Sequence, residues 1–87
     1  MNKALLTFSN GETLELHEDQ LIIPISKLVI DDEITVSQCE PYKIWFHSSA
    51  AMTPSICELL CKCDFFHLID DTDKIYNPKA VVTIKNL

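Results

Sequence analysis

The residues whose types and spacing could do chemistry are four cysteines and two histidines: Cys39, Cys57, Cys61 and Cys63, with His47 and His67. Thiolate sulfur and imidazole nitrogen are the ligands of a tetrahedral zinc site. Cys57, Cys61, Cys63 and His67 form a C-x3-C-x-C-x3-H run, which lacks the paired C-x2-C knuckles that identify such a site. Cys63 also falls at helical spacing from Ile56, Leu59 and Leu60, where a thiol behaves as a small hydrophobe. The expectation is therefore reduced, core-filling thiols with no metal and no cofactor. A zinc module built on Cys57, Cys61, Cys63 and His67 is the alternative. Cys57 with His47 or His67 has the composition of a thiolate–imidazolium pair. No residue pattern marks an oxyanion-stabilising backbone beside it, so no catalytic residue is assigned and a non-enzymatic chain is expected.

The acids are the second constellation. They gather as Glu12/Glu15/Glu18/Asp19, Asp31/Asp32/Glu33 and Asp70/Asp71/Asp73, each in or beside a turn pattern. D-D-T-D has the acid spacing of a calcium loop but not its glycine or distal glutamate. Solvated turns explain these clusters. The sharper reading is a negative face, with Asp31, Asp32, Glu33, Asp70, Asp71 and Asp73 meeting a basic protein. Trp45, the single tryptophan, shares a strand face with Lys43 and His47. By size it is expected to be a core residue; exposed, it would anchor a partner.

These side chains need positioning elements. Residues 3–8 and 13–17 read as a hairpin around Asn10-Gly11, a type I′ signal that would place Leu5 opposite Leu16 and Thr7 opposite Leu14. In that register Leu5, Leu14 and Leu16 share one face and Leu6 and Phe8 the other, with the first strand central. LIIPI (21–25), KLVI (27–30), ITVSQ (34–38), YKIWFH (42–47), FFHLI (65–69), KIYN (74–77) and KAVVTIK (79–85) continue as strand patterns. Pro24 is expected at an edge, bulge or strand end. Thr53 suits a helix N-cap and Pro54 the first turn, predicting a helix near 53–63 with the stripe Ile56/Leu59/Leu60/Cys63. The fold class is α+β: one domain over residues 1–87, a small curled antiparallel sheet of about five to seven short strands, an N-terminal hairpin and one short helix.

Composition narrows the partners. The net charge is −6, thirteen acids against seven bases, and every base is lysine. Without the guanidinium fork, and with an acidic field, direct nucleic-acid binding is not expected. No apolar run approaches the ~18 residues of a membrane span, and MNKALLTF lacks a signal peptide's apolar core, so a cytoplasmic location is expected.

Size, acidity, the all-lysine basic set and wording such as MNKALLTFSNGE and IYNPKAVVTIKNL give a general resemblance. The chain resembles short accessory proteins encoded by phages and mobile elements of low-GC Gram-positive bacteria. That resemblance implies the host cytoplasm and an inhibitor of host defence enzymes, anti-CRISPR proteins among them. It carries no site residue. The function expected is protein binding without chemistry, with a structural or assembly subunit, or a homodimer joined through a sheet edge, beside it.

Overall fold

The computed structural model describes residues 2–87, and its eight strands exceed the five to seven expected. They are β1 (Lys3–Phe8), β2 (Thr13–His17), β3 (Leu21–Ile30), β4 (Glu33–Gln38), β5 (Tyr42–Lys43), β6 (Phe65–Leu68), β7 (Asp71–Tyr76) and β8 (Val81–Asn86), with one helix, α1 (Thr53–Lys62). A single 3₁₀ turn, Pro78–Ala80, leads into β8. Two antiparallel sheets result, a three-stranded one ordered β2-β1-β8 and a curled one ordered β4-β3-β6-β7, with β5 also on β3.

The N-terminal hairpin forms, and β1 is central in its sheet, but the register differs by one residue from the expected one. Ala4 faces Leu16 and Leu6 faces Leu14. The reason is the loop. The Gly11 N–H donates to the Phe8 carbonyl, and Gly11 alone in the loop has positive φ, at 87°. This is a three-residue loop closed by a left-handed glycine, and the extra residue moves every side chain to the other face. Ala4, Leu6, Phe8, Leu14 and Leu16 are consequently buried together, while Leu5 is only half-buried.

A type I′ turn does occur, at Asp31-Asp32 between β3 and β4, where φ is 51° and 64°. β3 runs unbroken for ten residues through Pro24. Pro24 lies opposite the gap between β4 and β5, and its carbonyl accepts from the Cys39 N–H at 2.8 Å. Its missing N–H faces Cys39, one residue past the end of β4, so the donor is lacking only at that strand's margin.

One core joins both sheets and the helix. It holds the five hairpin residues with Ile22, Ile44, Met52, Ile56, Leu59, Phe66 and Tyr76. Phe8 stacks on Tyr76 at 5.4 Å and Tyr76 on Phe66 at 5.2 Å, so an aromatic pile bridges the sheets. The helix starts one residue differently from expectation, with Met52 as N-cap and Thr53 inside. Asn86 of β8 holds that end: its Oδ1 accepts from the Met52 N–H at 3.3 Å and its Nδ2 donates to Thr53 Oγ1 at 2.8 Å. Ile56 and Leu59 are buried, whereas Leu60 and Cys63 pack from the rim.

Candidate protein-docking site

The outer half of β3 and all of β4 leave the core. A compact chain of this length has a radius of gyration of about 12 Å. This one has 13.4 Å, with extents of 43 × 27 × 23 Å. The excess is consistent with this projecting two-stranded arm, Lys27–Ile30 paired with Glu33–Val36, in which every residue is exposed. Pairing puts Lys27, Val29, Ile34 and Val36 on one face and Leu28, Ile30, Glu33 and Thr35 on the other. Val29, Ile34 and Val36 are 63%, 68% and 63% exposed. Aliphatic side chains normally occupy a core, so an arm bare on both faces is the candidate for a contact surface.

The arm's tip is acidic. Asp31 and Asp32 form the turn and Glu33 opens β4. Asp70, Asp71 and Asp73 are elsewhere: Leu68 pairs with Ile22, and the Ile69 N–H bonds the Leu21 carbonyl, placing Asp70 and Asp71 at the opposite end of β3. Nine steps along β3, from Leu21 to Ile30, at ~3.3 Å each separate those ends by about 30 Å. The expected single acidic face is therefore two separate patches. Trp45 follows β5 at the Leu21 end of β3, away from the tip. It is 38% exposed, against the expectation of a core residue. β5 stops at Lys43, Ile44 alone turns inward, and the Trp45 indole N–H donates to the Tyr42 hydroxyl at 3.0 Å. Burial raises the Tyr42 phenol's pKa, against which its hydrogen bond to Ser55 works.

The cysteines depart from expectation too. Cys39, Cys57 and Cys61 are exposed rather than core-filling, and Cys63 is half-buried. Cys57 and Cys61 occupy the flank of α1 that turns away from Ile56 and Leu59. The Cys63 thiol donates to the Leu59 carbonyl at 3.1 Å. Its pKa is raised from 9.0 to about 11, chiefly by burial and further by Asp64 and Cys39, so it is a poor nucleophile. His67 is buried on β6. Its Nδ1 lies 2.7 Å from the Leu68 carbonyl and must carry the proton there; Nε2 then accepts from the Gln38 amide at 3.4 Å. Among the described residues no three of His, Cys, Asp and Glu gather closely enough to hold a metal ion.

Sequence reasoning missed Leu28, Val29, Ile30, Ile34 and Val36. KLVI and ITVSQ read like any half-buried strands. The available signal was the acidic Asp31-Asp32-Glu33 turn between the two runs; that no third strand lies beside them is set by the pairing of β3 with β6, which stops at Ile25. Comparison with protein-family models, curated proteins and solved structures found no match.

Proposed function

We propose that this chain is a small, acidic, non-enzymatic protein-binding module whose contact surface is the β3–β4 arm. Given its resemblance to phage accessory proteins, we read it as an inhibitor or regulator of a host enzyme that handles nucleic acid, of the anti-CRISPR type. The observation that carries the reading is the exposed aliphatic shaft (Leu28, Val29, Ile30, Ile34, Val36) ending in Asp31, Asp32 and Glu33. Apolar residues supply affinity once desolvated, and the acidic tip selects a basic surface of the kind that grips phosphates.

The test is affinity capture from host lysate with three baits: wild type, Asp31→Lys/Asp32→Lys, and Asp70→Lys/Asp71→Lys. One protein retained in fixed ratio by the first and third baits, lost from the second and released by salt, is the expected result. Equal retention by all three baits, or no retention in fixed ratio, would sink the reading.

A further inference from the structure

We infer that a second copy of this chain pairs with β4, edge to edge and antiparallel, to form a symmetric dimer. The inference goes beyond the partner reading and does not depend on it. Sheet edges carry unpaired N–H and C=O groups, which proteins ordinarily blunt with charge, proline or a bulge. The other edges here are blunted. β2 has Glu15 at its centre, β7 carries Asp71, Asp73 and Lys74, and β8 carries Lys85 and a register irregularity against β1. On the outer side of β3, Asp64 covers the root of the arm, its Oδ2 accepting from the Lys27 N–H at 2.6 Å, so the open stretch there is confined to Val29. From Ile34 to Gln38, β4 has no charge, no proline and no bulge.

The backbone fixes which groups face outward. The two-residue turn makes Ile30–Glu33 a hydrogen-bonded pair, and the Cys39 N–H bonding the Pro24 carbonyl continues the same alternation. Residues 33, 35 and 37 therefore point their amides at β3, leaving those of Ile34, Val36 and Gln38 free. An antiparallel partner must bond to those three. One symmetric register sets Ile34 against Val36 of the second copy, twice, with Thr35 opposite Thr35 on the two-fold axis. Glu33 then meets Ser37 and Asp32 meets Gln38, so no like charges oppose each other. Val29, Ile34 and Val36 from both copies become one continuous apolar face. The edge is thus complementary to itself, as a two-fold interface requires. The acidic tips stay exposed at the two ends of the seam.

Charge gives the dimer a signature. Two chains of −6 repel, so added salt should tighten this dimer, whereas salt loosens the contact of an acidic tip with a basic protein. Sedimentation equilibrium over a dilution series, at low and high salt, is the measurement. The expected result is a concentration-dependent dimer, favoured by salt and lost in Ile34→Lys and in Val36→Pro. The proline removes an outward donor only, so the monomer's own ladder survives, and circular dichroism checks that fold. With the four native cysteines replaced, Thr35→Cys should cross-link two copies, since facing Cα atoms of a non-hydrogen-bonded pair lie about 4.5 Å apart. Asp73→Cys, on the blunted β7 edge, should not. A monomer at every concentration, a dimer indifferent to Val36→Pro, or cross-linking through Asp73→Cys in place of Thr35→Cys would each overturn the inference.

Discussion

Single residues show where chemistry is withheld. Cys63 keeps its proton because burial opposes the thiolate. Its folded-state pKa is raised, so the stability it contributes is complete below pH ~9 and drains as pH rises through about 11. Iodoacetamide at pH 8 followed by mass spectrometry should label Cys39, Cys57 and Cys61 and spare Cys63. Ala51 presents the opposite case, a strained residue with φ of 54° where a Cβ is unwelcome. Ala51→Gly should stabilise by about 1 kcal/mol, read as a raised melting temperature. The thiols read as core-filling, and the exposure of Cys39, Cys57 and Cys61 was not legible. Helical spacing gives the angular position of Cys57 and Cys61 on α1, and only the placement of β3 and β8 around α1 decides which flank is covered.

At the scale of elements, the two hairpins separate legible from illegible. Both were readable as strand–turn–strand, because apolar runs bounded by turn residues require it. Their loops were not, because Asn10-Gly11 and Asp31-Asp32 each fit more than one loop length and the choice moves the register by a residue. Asp32 holds φ of 64° without being glycine, so Asp32→Gly should slow amide exchange across the arm without changing it in β1. The helix stripe was read in outline and needs one refinement. Leu59 is 1% exposed and Leu60 is half-buried, so Leu59→Ala should cost about 3 kcal/mol in chemical denaturation and Leu60→Ala clearly less.

Across the whole molecule, two populations of aliphatic residue coexist. Leu6, Leu16, Ile22, Ile56 and Leu59 stabilise the core, while Leu28, Val29, Ile30, Ile34 and Val36 touch none of it. Changing Ile34 and Val36 together to lysine should leave the melting temperature of dilute protein within a degree or two while abolishing the partner capture proposed for the arm. That dissociation of stability from binding is what a projecting arm predicts. A sequence states that both populations are apolar. Which is buried depends on how many strands the core can cover, and an 87-residue chain runs out of interior before it runs out of aliphatic residues.

The central place of β1 has a consequence in time. It pairs with β8, Ala4 against Asn86, and the Leu87 N–H reaches the Lys3 carbonyl at 2.9 Å. During synthesis β1 must therefore wait for almost the entire chain before its second neighbour exists, the pattern of long-range pairing that makes folding slow. The arm waits for nothing, since its strands are joined by two residues. An apolar hairpin with an open edge thus forms while the core is still incomplete, and many nascent copies would display it at once. Crowded, slow-folding chains would find one another through that strand first, so yield on overexpression should rise with slower synthesis.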